Sequence, residues 1–345
     1  LPISADITVN NDNGNCSAAI SIGAPTTDDN CGVASVTNNF NGTSDASDTY
    51  PVGTTKVVWT VADIHGNTAT CVQIVVVNDN EAPNAICQDV TVQLDAAGNG
   101  SIIASDINNG STDNCGIASV TASPTSFDCS NIGANTVTIT ITDIHGNIST
   151  CTSTVTVEDN VAPVAICQDV TVQLDASGMG STTASAVDNG SNDACGIASL
   201  TISQADFNCT EVGTQQITLT ATDVNGISSS CTSTVTVEDN IAPVAICQDV
   251  TIQLDANGNA SVSASQVNNG SNDACGIASL ALSQTSFDCS EVGANTVTLT
   301  VTDVNGNSST CTSTVTVEDN VAPILTCTSD ISVNNSTGIC GANLS

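Results

Sequence analysis

The chain has 345 residues with 35 Asp plus Glu against 1 Lys plus Arg, a formal net charge of −34, while only 10% of its residues are charged. Acid this unopposed excludes nucleic acid and anionic membrane surfaces as partners, because neutralising phosphate takes clusters of Lys and Arg and Lys56 stands alone. Aromatic content of 2% is too thin for ring-stacking platforms, whereas 40% hydrophobic content supplies packed cores rather than a disordered chain.

Leu1 to Asn10 has neither the basic start nor the apolar run of a signal peptide, and no apolar stretch is long enough to span a bilayer, so membrane insertion is not expected. Targeting and anchoring segments are expected elsewhere in a longer protein. The 17 cysteines lack zinc-type spacing and read as disulfides, which places the chain in an oxidising, extracellular compartment.

Self-similarity organises the whole sequence. Cys87, Cys167, Cys247 and Cys327 are each 80 residues apart, as are Cys115, Cys195 and Cys275. Boundaries at 80, 160, 240 and 320 divide the chain into modules 1–80, 81–160, 161–240 and 241–320, with a truncated fifth at 321–345. Units of this length suit small independent domains rather than solenoid coils. Further copies of the same module are therefore the first expected partners.

Within a module the elements follow a period of two. In module two a turn at Asn109-Gly110 precedes a strand in which Val137, Ile139 and Ile141 alternate with Thr136, Thr138, Thr140 and Thr142. The turn Asp143 to Asn147 (D-I-H-G-N) follows, then a strand in which Val155 and Val157 alternate with Thr154 and Thr156. No helix is expected. Roughly seven short strands with turn signals about every 8–12 residues predict an all-β chain of tandem immunoglobulin-like β-sandwich modules forming an elongated rod. Trp59 occupies the place of Ile139 and is expected in the core.

Particular strings carry a family resemblance. Asp6-Ile-Thr-Val, Asp28-Asp-Asn-Cys-Gly, Tyr50-Pro-Val-Gly and Ala62-Asp-Ile-His-Gly-Asn-Thr-Ala-Thr-Cys71 resemble the hyalin repeat, and modules two to four keep the D-x-C-G and T-D-x-x-G-x-x-S-x-C elements. The resemblance implies an extracellular immunoglobulin-like module used in adhesion. Near-identical copies rich in Thr, Asn and Asp are also similar in composition to the large repetitive surface adhesins of Bacteroidota, including those used in gliding. A stalk or filament segment of such an adhesin is the expected function. The alternative is an array of ligand-binding modules contacting glycan or protein through their loops.

The cysteines allow more than one pairing. The D-x-C-G cysteine is common to all modules, with Cys16 as its near neighbour in module one and a downstream cysteine in the others, so Cys16–Cys31, Cys115–Cys129, Cys195–Cys209 and Cys275–Cys289 are expected. The remainder pair either within modules, as Cys87–Cys151, Cys167–Cys231 and Cys247–Cys311, or across junctions, as Cys71–Cys87, Cys151–Cys167, Cys231–Cys247 and Cys311–Cys327. Parity favours the second scheme. Geometry favours the first, because the last strand runs about 20 Å beyond its cysteine whereas a disulfide needs Cα atoms within about 7 Å. Cys71 is then unpaired, since Ile3 sits where Cys327 sits in module five, and Cys340 takes the place of Cys16.

No constellation for catalysis is apparent. His65 and His145 become Asn225 and Asn305 in the later modules, no H-E-x-x-H or glycine-rich phosphate loop occurs, and Glu158-Asp159 lies at a junction without a pocket framework, so the chain reads as non-enzymatic with no required cofactor. Hard cations do want several oxygen ligands, and acids gather at the junctions. The candidate calcium ligands are Asp79 and Asn80, Glu158, Asp159 and Asn160, Glu238, Asp239 and Asn240, and Glu318, Asp319 and Asn320, strings similar to the N-D-N-x-P linkers of cadherins. The turn residues Asp63, Asp143, Asp223 and Asp303 are further candidates, although an Asp opening a hairpin turn commonly caps its own backbone without metal.

Overall fold

A computed structural model describes residues 5–327 and residue 333. Most of the expected fifth module, including Cys340, lies outside the described residues. By internal contacts the chain forms two units, Leu1–Ala165 with Gly190–Leu200 and Thr220–Ser230, and Ile166–Asn189 with Thr201–Leu219 and Cys231–Ser345.

The first unit contains modules one and two. In module two the alternating Thr/Val segments become long strands because β-branched side chains suit a pleated surface with one buried face. Gly133–Asp143 pairs antiparallel with Ile148–Glu158 on one side and with Ile117–Ser123 on the other. The opening strand, Val90–Gln93, adds to the far edge of Ile148–Glu158 in parallel, Val90 opposite Val155 and Gln93 opposite Glu158. Two side chains secure this parallel pair: Ser153 donates to the Gln88 carbonyl at 2.5 Å and Asp89 accepts from the Thr154 N–H at 2.6 Å. A second layer is made by Asn99–Ser101 antiparallel to Ser126–Asp128 and by bridges from Asn84 to Thr112 and from Cys87 to Asn108.

Between the layers, Val137, Ile139, Ile141, Val155 and Val157 of the larger sheet meet Leu94, Ile102, Ile107 and Phe127, all buried. Threonines alternate with the sheet's buried residues, as a period of two requires. The second unit repeats the plan: in module four Val250–Gln253 runs parallel to Ser308–Glu318, and Gly293–Asp303 lies between Ser308–Glu318 and Ile277–Leu282. All four modules have the same strand order in the larger sheet.

Two details differ from the sequence reading. Modules two to four have six strands rather than seven, and each contains a one-turn helix, Ala104–Ile107, Ala184–Val187 and Ala264–Val267, where none was expected. Four residues are barely one turn, too few for helical periodicity to register. Each turn drives one apolar residue, Ile107, Val187 or Val267, fully into the core. No helix among the described residues is long and apolar enough to cross a membrane.

Module one solves the same core with other residues. Trp59 is fully buried, as expected, and its Nε1–H donates to Gln73 Oε1 at 3.1 Å. Gln73 stands where Ser153 stands in module two, and its longer amide also reaches the Ala5 carbonyl at 2.8 Å. The wide indole and the long amide thus replace the Ile139 and Ser153 pair together. Tyr50 is buried on the opposite layer, with its hydroxyl donating to the Ala46 carbonyl at 2.7 Å. Because Trp59 is the single tryptophan, its fluorescence follows module one. Tyr50→Phe is expected to lower the urea stability read at Trp59 by about 1 kcal/mol, the usual worth of one buried hydrogen bond.

Candidate functional site

The strand directions give every module a leading and a trailing end. In module two the chain arrives at Pro83 and leaves at Asp159, and because first and last strands are parallel these points lie at opposite ends of the sheet. The loop Asp113–Gly116 and the turn Asp143–Asn147 sit at the leading end, where Asp143 pairs with Ile117. The turn Asp95–Asn99 and the 3-10 turn Cys129–Asn131, just before Gly133 opposite Val157, sit at the trailing end.

This polarity decides the disulfides. Cys16 bonds Cys115, Cys129 bonds Cys195 and Cys209 bonds Cys275, with Cα atoms 4.8, 5.2 and 5.1 Å apart, so each joins one module to the next. The expected local pairs Cys16–Cys31, Cys115–Cys129, Cys195–Cys209 and Cys275–Cys289 do not form. Between Cys115 and Cys129 the strand Ile117–Ser123 carries the chain from one end of the module to the other, about 20 Å at strand rise, far beyond disulfide reach. Cys87–Cys151, Cys167–Cys231 and Cys247–Cys311 bond within their modules, with Cα atoms 6.0, 5.9 and 5.8 Å apart. Cys31, Cys289 and Cys327 are free and exposed, and Cys71 is free and half-buried.

Close packing surrounds the staple. A Cβ placed on Gly98, whose φ is +76°, would lie 2.7 Å from Cys129 Sγ and 3.2 Å from the Ala194 Cβ of the next module. Gly178 repeats the arrangement against Cys209 and Ala274. Glycine is required there by both backbone conformation and approach.

Aspartates converge beside each staple. At the junction into module two, ligand oxygens of Asp79, Asp113 and Asp143 lie within 4.8 Å of one another, and the equivalent atoms of Asp159 with Asp193, and of Asp239 with Asp273, are as close. Asp223 and Asp303 occupy the position of Asp143 in their modules. The cysteine sulfurs in the same places, Cys115, Cys195 and Cys275, are in disulfides and offer no thiolate. Two carboxylates at this separation repel by about 3.5 kcal/mol at an effective dielectric of 20. Lys56, the chain's single Lys or Arg, belongs to module one.

Each aspartate has one oxygen occupied by backbone. Asp113 Oδ1 accepts from the N–H groups of Cys115 and Gly116 at 2.8 Å, and Asp143 Oδ1 from those of His145 at 2.8 Å and Asn147 at 2.9 Å. Burial pushes the Asp143 carboxyl up, but the hydrogen bonds from Asn147, His145 and Gly146 outweigh it and hold the group below its ordinary value. The second oxygen distinguishes the junctions. At the first, His145 Nδ1 lies 3.0 Å from Asp79 Oδ2 and the Asn147 amide donates to Asp143 Oδ2 at 2.7 Å. At the third, Asn307 donates to Asp303 Oδ2 at 2.9 Å and to the Asp239 carbonyl at 2.9 Å. At the second, Ile227 replaces this asparagine and has no amide side chain to donate.

The other residues expected to hold calcium are placed elsewhere. Glu158 accepts from Gln93 at 2.7 Å, and Asn160 donates to Gln93 at 2.5 Å. Glu238 and Asn240 engage Gln173 in the same way, and Glu318 and Asn320 engage Gln253. These Glu and Asn residues tie the parallel strand pair outside the aspartate groups. The Asn80 N–H donates to Asn11 Oδ1 at 3.2 Å, and Asp319 is exposed. Asp63 caps its own turn, and the Asn67 side-chain hydrogen bond leads those that hold its carboxyl below the ordinary value. Sequence reasoning did not select Asp113, Asp193 and Asp273. Their sequence signal is the constant D-x-C-G string, in which the aspartate stands two residues before the stapling cysteine.

Glu81 makes a separate bond at the first junction. It accepts from the Gly14 N–H at 2.9 Å and from Asn114 Nδ2 at 2.6 Å, linking the leading loop of module two to the Asn11–Asn15 turn of module one.

Comparison with known proteins follows this architecture. Residues 3–77 match the family described as HYR domain. Hyalin of Strongylocentrotus purpuratus is 32% identical over 306 residues, covering 84% of this chain, and the chain spans 25% of the length of that relative. Together these matches support hyalin repeat modules in tandem. Among solved structures, Sidekick-1 immunoglobulin domains 1–5 align at TM-score 0.31 and 9% identity, covering 92% of this chain and 80% of theirs. Drosophila N-cadherin EC1–4 aligns at TM-score 0.27 and 13% identity, covering 92% and 99%.

Peptide mapping under non-reducing conditions with alkylated free thiols checks the staples. Peptides joined through Cys16–Cys115, Cys129–Cys195 and Cys209–Cys275 are expected, with Cys31, Cys71 and Cys289 alkylated. A Cys115–Cys129 peptide would refute the arrangement.

Proposed function

We propose that this chain is a non-enzymatic spacer segment of an extracellular, cell-surface adhesion protein, serving attachment or gliding of the cell that bears it. The observation carrying this reading is the series of disulfides from one module to the next. A string of domains that only displays binding loops has no need of covalent bonds between domains. A segment that transmits force has that need, because a noncovalent junction yields under load before the folded module does.

The staples are also strong in thermodynamic terms. Closing a loop of 66 residues, as Cys129–Cys195 and Cys209–Cys275 do, is worth about 4 kcal/mol in the chain-entropy picture. Similarity to hyalin repeats and a disulfide-rich all-β fold support the extracellular setting. High negative charge discourages sideways association of exposed sheet edges.

The repeat also supplies partners for the free thiols. Cys31 stands in the D-x-C-G position that Cys115, Cys195 and Cys275 use to bond the preceding module, and Cys289 stands in the position of Cys129 and Cys209. Further modules of a longer protein are thus the partners for Cys31 and Cys289. A glycan or protein surface is the target of the adhesion protein as a whole.

Small-angle scattering on the oxidised chain tests the spacer. Four modules of about 40 Å each are expected to give a maximum dimension on the order of 160 Å. Mild reduction of the intermodule disulfides is expected to broaden the distance distribution. A compact particle would replace the spacer with a composite binding surface.

A further inference from the structure

The aspartate groups contain oxygens that no protein donor satisfies. Oδ2 of Asp159, Asp223 and Asp239 is buried without a hydrogen-bond partner, on residues 6%, 1% and 7% exposed. Carboxylate oxygens withdrawn from water are normally satisfied by several donors or by a cation. Two of these residues converge with a further carboxylate, Asp193 beside Asp159 and Asp273 beside Asp239, and Asp223 holds the place of Asp143, which converges with Asp79 and Asp113 at the first junction.

The donor chemistry narrows the occupant. Cys195 and Cys275 are oxidised, and the histidine position of the first junction is Asn225 and Asn305 at the later two. What remains is an all-oxygen set dominated by carboxylates. Zinc prefers sulfur and nitrogen, whereas calcium takes oxygens from carboxylates, carbonyls and water in flexible geometry.

We infer that the junctions leading into modules three and four each bind one calcium ion, through Asp159, Asp193 and Asp223 and through Asp239, Asp273 and Asp303. The three junctions form a series. Into module three, Ile227 in the place of Asn147 leaves Asp223 with a free oxygen and Asn225 in the place of His145 leaves Asp159 with another, and this site is the tightest. Into module four, Asn307 satisfies Asp303 Oδ2 and leaves Asp239 Oδ2 free. Into module two, His145 and Asn147 supply partners for Asp79 and Asp143, so that junction is the least dependent on metal. The inference does not rest on the spacer reading: it is decided by metal binding, and the spacer by particle dimensions.

Equilibrium dialysis of the disulfide-intact chain against calcium, with scanning calorimetry in calcium and in EDTA, tests the sites. Two tight equivalents per chain are expected, with Kd at or below about 1 mM as for extracellular modules, and a higher melting temperature in calcium. Asp223→Asn is expected to remove one equivalent, and Asp159→Asn combined with Asp239→Asn to remove both. Glu158→Gln combined with Glu238→Gln is expected to leave both, because those carboxylates engage Gln93 and Gln173. Circular dichroism in EDTA establishes that each variant is folded, and Asp193→Asn replaces any variant that is not. Absence of binding up to about 10 mM calcium, beyond the extracellular range, would overturn the inference. So would binding that survives the paired Asp159 and Asp239 changes.

Discussion

The parallel pairing of the first strand with the last is the constraint on which the remaining structure depends. Neighbouring strands joined by short turns run antiparallel, and an all-antiparallel module with that connectivity could return its chain to where it began. Here Val90–Gln93 lies alongside Ile148–Glu158 in the same direction, so the chain leaves each module at the end opposite its arrival. Every trailing end then faces a leading end of the next copy. The hydrogen bonds of Ser153 and Asp89 look modest, but they secure the strand pair that sets this polarity.

Two opposing demands meet at the ends so created. Apolar burial within a module leaves only turns and loops to form a junction, and loops carry polar groups that pack poorly against one another. The disulfide overcomes this by closing a long loop, and Gly98 and Gly178 allow the sulfur and the neighbouring Ala to approach. The aspartates act in the opposite sense, because carboxylates brought together repel and have no Lys or Arg beside them. Backbone N–H groups absorb one oxygen of each. The fate of the second oxygen varies from junction to junction, satisfied by His145 and Asn147 in one place and left without a protein donor in another.

Substitutions between copies are coordinated rather than neutral drift in isolated positions. Trp59 arrives with Gln73, and the amide receives the indole N–H while also taking the strand-fastening task of Ser153. Glu81 arrives with Asn114 and with a turn at Gly14, whereas Val161 and Ile241 stand in its place at the later junctions. These two departures from the repeat are matched by partners, one across a sheet and one across a junction.

The sequence by itself determined the repeat, the alternation that makes strands of Gly133–Asp143 and Ile148–Glu158, the sandwich class and the presence of disulfides. These are local properties, carried by spacing and by the two-residue period of a half-buried strand. It also identified the turn aspartates, because D-x-x-G-x is a local motif. Only the tertiary structure decided which cysteines meet. Cys115 and Cys129 are close in sequence, yet a strand separates them by the length of a module, while Cys129 and Cys195 are distant in sequence and adjacent across a junction. The same reason explains the aspartate groups. Glu158 is the last residue of its strand and Asp159 the first beyond it, and one is tied to Gln93 at the exposed edge while the other is buried beside Asp193. Proximity along the chain measures neither when strands carry neighbours to opposite ends.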